Sequence, residues 1–172
     1  MRVDNKNIAF VGFMASGKSS VSKELSLALD KEMVSSDDLI VEKEGRSIKD
    51  IFERSGEEYF RKLEVDVIQE VSKKENVIID CGGGVVMNPV NVENLKKNGV
   101  LVYLSISPEL VYARIKGTKD RPLLNVEDPV AKIKELLEHR RPFYEKADFI
   151  IKVDNKVIGE VCQEILELLN YE

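Results

Sequence analysis

The chain has 172 residues, 43% of them hydrophobic and 33% charged, enough for one domain with a proper core and unlike the composition of a disordered segment. Its 26 basic and 31 acidic side chains leave a net charge of −5, which lacks the basic balance of a nucleic-acid binder and requires any anionic substrate to be held by local basic groups. Cys81 and Cys162 make no C-x-x-C pair, the first residues lack a signal-peptide stretch, and no apolar run approaches the roughly 20 residues of a membrane span. The expectation is a cytoplasmic protein with no membrane or nucleic-acid partner.

The first predicted element is a short strand over residues 8–11. It runs into Gly12-Phe13-Met14-Ala15-Ser16-Gly17-Lys18-Ser19, which fits the Walker A pattern G-x-x-x-x-G-K-[ST], and a helix is expected over 17–30. Glycines there let backbone amides turn inward around a polyphosphate, and the helix presents its positive end to the same anion. Gly12, Ala15, Ser16, Gly17, Lys18, Ser19 and Ser20 are the candidate nucleotide contacts. Lys18 would reach the transferring phosphoryl group, and the Ser19 hydroxyl would bind magnesium.

Further strands are expected at 32–36, 77–79, 100–106 and 149–153. The run at 32–36 is the weaker one; the continuous apolarity of the others suits strands covered on both faces. Helices are expected at 56–74, 108–116, 128–138 and 157–169. This alternation makes an α/β protein: a three-layer α/β/α arrangement around a central five-stranded parallel sheet, in one domain over 1–172.

Two stretches break the rhythm. Residues 37–60 hold two or three short helical pieces interrupted at Gly45 and Gly56, which reads as an inserted substrate-holding segment. Residues 117–126 are polar at one end and without a period, which reads as a lid that excludes water from a loaded site.

Taken together, the Walker A loop, an aspartate at the end of the second strand, Gly56-Glu57-Glu58-Tyr59-Phe60-Arg61, Gly82-Gly83-Gly84, Arg121-Pro122-Leu123-Leu124 and Arg140-Arg141-Pro142-Phe143-Tyr144 resemble the shikimate kinases, a family with the P-loop kinase fold. The resemblance runs from residue 8 to about 153. It implies transfer of the γ-phosphoryl group of ATP to the 3-hydroxyl of shikimate, with Mg2+ as cofactor and ATP as co-substrate, in the pathway to chorismate and the aromatic amino acids.

On this resemblance Asp37 contacts the ring hydroxyls and acts as base, which a carboxylate in reach of the attacking hydroxyl can do. The alternative is that Asp37 or Asp38 caps the helix beginning there. Arg61 and Arg140 match the arginines that hold the substrate carboxylate, for which the planar guanidinium fork is suited. Arg61 could instead pair with Glu57, four residues earlier. Arg140 falls within the apolar stripe of Val130, Ile133 and Leu137, where an unpaired charge is costly, so it is expected to reach a site, with Arg141 toward the edge of the stripe.

The triplet Gly82, Gly83, Gly84 follows a buried strand and permits close approach of a ligand to backbone. Arg121 would swing from the lid onto the phosphates as a catalytic group. Arg114 matches an arginine that stacks on adenine, against the alternative of a solvated helix end. His139, the only histidine, is expected on a helix surface.

One departure stands out. The family commonly has Asp-x-Asp at the end of the second strand, whereas this chain has Ser35-Ser36-Asp37. Asp80, ending the run Val77-Ile78-Ile79, is the candidate to supply the missing metal-side carboxylate with Ser19. Its alternative role is a cap of the following turn. Two rival readings remain: a kinase of the same fold for another small hydroxylated acid such as gluconate, and a nucleotide-binding regulatory module without catalysis. A monomer is expected.

Overall fold

Asn7 to Val11 form β1, every residue of which is buried, and the pattern on its two faces divides the core. Ile8 and Phe10 enter one apolar cluster with Val21, Leu25, Val161 and Ile165. Ala9 and Val11 enter the other with Phe60, Val67, Ile68 and Leu95. A strand whose alternate side chains are all apolar must be covered on both faces, and this one is. The computed structural model describes residues 5–117 and 126–170; Arg121 and all but the ends of the expected 117–126 lid lie outside them.

The other strands are β2 (Glu32–Ser35), β3 (Val77–Asp80), β4 (Gly99–Ser105) and β5 (Phe149–Lys152), and all pairings are parallel in the order β2-β3-β1-β4-β5. The five-stranded parallel sheet expected from the alternation is present. The helices are α1 (Lys18–Leu29), α2 (Ser36–Glu44), α3 (Ile48–Val71), α4 (Pro89–Lys97), α5 (Pro108–Ile115), α6 (Pro129–Tyr144) and α7 (Ile158–Leu168). Helices α1 and α7 pack against one another on the Phe10 face, and α3 and α4 on the Ala9 face.

Three local features depart from expectation. Helix α4 was not anticipated; Asn88 caps it by accepting from the Val90 N–H, with Pro89 in its first turn. Helices on either side of Gly56 join into α3, kinked where Gly56 takes φ 82° and ψ 170°. Helix α6 continues past residue 138 to Tyr144, through Pro142. A proline near a helix end forfeits one backbone bond, and here a buried anchor follows it: Tyr144 is fully buried. Ile133 and Leu137 belong to the first cluster and Tyr144 to the second, so α6 spans both halves of the core.

Candidate active site

The phosphate loop is shaped by backbone geometry that few residues tolerate. A Cβ on Gly12 would stand 2.7 Å from the Leu104 carbonyl oxygen, so no larger residue fits against β4 there. Ala15 (φ 60°) and Gly17 (φ 94°) turn the chain through the left-handed region, the kind of turn that aims successive N–H groups into a concavity. The Ser16 hydroxyl is buried among the described residues without a hydrogen-bond partner. Lys18 Nζ folds back over the loop, donating to the carbonyls of Gly12 at 2.9 Å and Phe13 at 3.1 Å. Burial holds its pKa below the usual lysine value, although Asp80 and Asp37 nearby act the other way.

Ser19 and Ser20 follow on the exposed first turn of α1. Ser19 Oγ donates to Asp80 Oδ2 at 2.5 Å. That contact follows from sheet register. Asp80 ends β3 between Phe10 of β1 and Ser35 of β2, its Cα partners on either side. The Ser35 hydroxyl is engaged elsewhere, accepting the Asp38 N–H and so capping α2. This corrects the capping alternative for Asp37 and Asp38, which both lie inside the first turn of α2. Asp37 is therefore free to face the cavity beyond the sheet.

That cavity, about 570 Å³, is lined by Lys18, Asp37, Asp80, Arg61, Arg140 and the glycine triplet, among others. Each glycine of the triplet has one of these side chains laid against it. A Cβ on Gly82 would stand 2.6 Å from Asp37 Oδ1; on Gly83, 3.9 Å from Arg140 Nη1; on Gly84, 2.5 Å from Arg61 Nη1. The three glycines are thus the floor under one carboxylate and two guanidinium groups; at Gly82 and Gly84 the missing Cβ is what admits the side chain, whereas at Gly83 a Cβ would make only ordinary contact. Ser36 Oγ accepts the Gly82 N–H at 2.9 Å and ties α2 to the same floor.

Burial raises the Asp37 carboxyl above the ordinary aspartate range, and the Asp80 charge adds to it while Lys18 opposes it. Asp80 is likewise raised by burial, against the Ser19 hydrogen bond and the Lys18 charge. A carboxylate in this position can take a proton from a hydroxyl, and two facing guanidinium groups can grip a substrate carboxylate.

Arg61 is held by more than the expected Glu57. Its Nη1 donates to both Glu64 oxygens at 3.0 Å, and its Nη2 reaches Glu57 at 3.2 Å. Glu64 is buried and was not singled out from the sequence. The signal was present: it lies between Phe60, Val67 and Ile68 on the apolar stripe of α3, the same anomaly that marks Arg140 on α6.

Arg140 is half-buried, and its guanidinium lies 5.5 Å from the Phe13 ring of the phosphate loop, whereas Arg141 is exposed. Arg114 is no free helix end: its Nη1 donates to the Ala15 carbonyl at 2.7 Å, on the outer side of the loop. His139 is exposed, 6.5 Å from the Phe143 ring. Both cysteines are free and buried.

For Mg2+, the available donors are the Ser19 hydroxyl and the Asp80 carboxylate, hard oxygens suited to that ion. No group of three or more His, Cys, Asp or Glu side chains able to hold a metal occurs among the described residues. Two protein oxygens fit an ion that takes its remaining ligands from phosphates and water.

Known proteins resemble this chain in both sequence and fold. The shikimate kinase family model matches residues 14–170. The shikimate kinase of Caldanaerobacter subterraneus subsp. tengcongensis is 47% identical over 161 residues, covering 94% of each chain. That of Dehalococcoides mccartyi is 45% identical over 170 residues, covering 98% of this chain and 96% of its own. Among solved structures, the shikimate kinase from Acinetobacter baumannii in complex with shikimate superposes with a TM-score of 0.88 at 37% identity, over 96% of this chain and 93% of that one. The enzyme from Aquifex aeolicus gives 0.84 at 42% identity, over 95% and 96%. With sequence and fold agreeing across nearly the whole length, around a phosphate loop and a glycine floor that share one cavity, the chain belongs to the shikimate kinase family.

Proposed function

We propose that the cavity is a two-substrate site in which the γ-phosphoryl group of ATP passes to the 3-hydroxyl of shikimate, giving shikimate 3-phosphate and ADP. Family membership carries the overall activity, phosphorylation of shikimate with ATP as co-substrate. The assignment of individual residues is our own. What supports it most is the placing of Asp37, Arg140 and Arg61 on three successive glycines, with Lys18 lining the same cavity.

Arg61 and Arg140 receive the shikimate carboxylate, and Gly82, Gly83 and Gly84 let the ring lie against backbone. That orientation brings the 3-hydroxyl to Asp37. As the hydroxyl oxygen bonds to the γ-phosphorus, its proton passes to the Asp37 carboxylate, and the bond to the β,γ-bridging oxygen breaks to release ADP. The raised pKa of Asp37 makes it a stronger base for this transfer. Gly12, Ala15, Ser16, Gly17, Ser19 and Ser20 surround the phosphates, and Arg114 covers the adenine side. Lys18 moves from the loop carbonyls to the γ-phosphoryl oxygens once nucleotide displaces it. Arg121 adds positive charge there, an assignment that rests on its sequence motif. Positioning and charge stabilisation account for most catalysis in phosphoryl transfer.

Ser19 and Asp80 would hold Mg2+, which supplies neutralising charge to the phosphates when bound. Asp80 thereby replaces the carboxylate that Ser35 does not provide. We further propose one domain over 1–172 with a substrate-holding segment over 37–60, acting as a cytoplasmic monomer without nucleic-acid or membrane partners. No helix among the described residues is long and apolar enough to cross a membrane.

A coupled ADP-release assay with shikimate, with gluconate and with no acceptor tests the reading. Turnover with shikimate alone is expected. Equal ADP release in all three would count against a specific kinase site.

A further inference from the structure

Tyr144 ends α6 one helical turn beyond Arg140 and is completely buried. Its ring stacks on that of Tyr103 from β4, with centroids 4.7 Å apart and planes 9° from parallel. Its hydroxyl donates to the Gly83 carbonyl at 2.6 Å, across the cavity floor. The Arg140 guanidinium converges on the same glycine: its Nη1 is 3.9 Å from the place a Gly83 Cβ would occupy, close enough for its charge to act on the phenol.

A phenol has one proton to give and lone pairs to receive, whereas a guanidinium can only donate. With the proton committed to Gly83, only the lone pairs are left to receive Arg140, so the two interactions can run in one direction only. Burial pushes the phenol up to about 12, which keeps that proton in place throughout the neutral range. Arg140 otherwise leans on the Phe13 ring, a contact that fixes its plane loosely. A long side chain left free would have to be ordered each time substrate binds.

We propose that Tyr144 is a positioning residue for substrate capture: its hydroxyl ties the Arg140 guanidinium to the Gly83 carbonyl and sets the point at which the shikimate carboxylate is received. The phenol itself touches neither the reacting hydroxyl nor the phosphates. The inference rests on Arg140 being a carboxylate ligand.

The test uses Tyr144→Phe, Arg140→Ala and the double variant, with shikimate and with its analogue bearing a primary alcohol in place of the carboxylate. Tyr144→Phe keeps the ring and its stack. It should raise KM for shikimate about 10- to 100-fold, the range expected for one lost hydrogen bond to a charged group, while kcat and KM for ATP stay within about twofold of the parent. KM for the alcohol should not move, and the double variant should bind shikimate no worse than Arg140→Ala. An unchanged KM for shikimate in Tyr144→Phe, with a raised one in Arg140→Ala, overturns the positioning role alone. An unchanged KM in Arg140→Ala overturns the carboxylate assignment and this inference with it. Equal losses for shikimate and the alcohol in Tyr144→Phe would make the residue merely structural and refute the proposal.

Discussion

Gly82→Ala isolates the contact between the glycine floor and the base. The added methyl carbon would sit 2.6 Å from Asp37 Oδ1 and 3.5 Å from Glu64 Oε1. Ordinary contact needs about 3.4 Å or more, so the Asp37 carboxylate must retreat by roughly 0.8 Å. The backbone itself raises no objection, because Gly82 is not among the residues with positive φ. Removing glycine from a compatible position narrows the unfolded ensemble and stabilises by about 0.4–1 kcal/mol, which offsets part of the crowding.

The variant should therefore fold with a Tm within a few degrees of the parent, while its base stands misplaced. A displacement near 1 Å at a reacting group costs about 10²-fold in rate, equivalent to about 2.7 kcal/mol of barrier. The assay is steady-state ADP release at saturating shikimate and ATP, with a thermal melt on the same preparation. Gly84→Ala is the companion, since its methyl would strike Arg61 at 2.5 Å and should raise KM for shikimate more than it lowers kcat. A folded Gly82→Ala variant with kcat within about threefold of the parent would refute the claim that this glycine places the base.

Asp80→Ala should raise the Mg2+ concentration needed for half-maximal ADP binding by about 10-fold or more, at least what loss of an outer-shell partner of a metal ligand costs, as read by calorimetric titration without substrate. Adding Ser35→Asp to that variant should recover much of the loss, because the two positions are Cα partners across β2 and β3; unchanged Mg2+ dependence in Asp80→Ala would assign the metal elsewhere. Activity should fall on acidification at a pH above that expected of an ordinary aspartate, since Asp37 must be ionised to accept the proton and its pKa is raised by burial and by Asp80; a kcat profile flat down to pH ~4 would exclude Asp37 as the base. Asp37, Asp80 and Glu64 are all raised by burial, so the folded protein binds more protons than the unfolded chain between the ordinary carboxylate range and their raised values. Their contribution to stability is full below that window and is lost as pH rises through it. Asp37→Asn, which removes one of these charges, should accordingly raise the Tm at neutral pH while lowering kcat by about 10²-fold or more; a lowered Tm would contradict the burial argument.

Some residues carried their meaning in the chain itself. Gly12 to Ser19 could be read as a phosphate loop because a short pattern of glycine, lysine and hydroxyl determines local backbone conformation and local chemistry together. Arg140 could be placed in a site because a charge on an apolar stripe violates the cost of burial, and the helix period alone exposes the conflict. The three central strands, β1, β3 and β4, were legible for the same local reason, as runs too apolar to leave either face in water, whereas the edge strands β2 and β5 keep exposed positions such as Glu32 and Ile150. Glu64, buried on the apolar stripe of α3, is legible by the same rule as Arg140.

Other features had no local signature. The run ending at Asp80 marks a strand-end carboxylate, but not its hydrogen bond to Ser19 or its place beside Ser35; parallel pairing across long connections sets those, and register is a property of the assembled sheet. Nothing in Gly82-Gly83-Gly84 says which side chain rests on which glycine, because Asp37, Arg140 and Arg61 arrive from three different helices, α2, α6 and α3. The continuation of α6 through Pro142 likewise depends on a tertiary gain, the burial of Tyr144, that outweighs a local penalty. Sequence alone thus determined the identities of the groups and the periodic surfaces that must be buried. The tertiary structure decided their distances, because those depend on which buried surfaces meet.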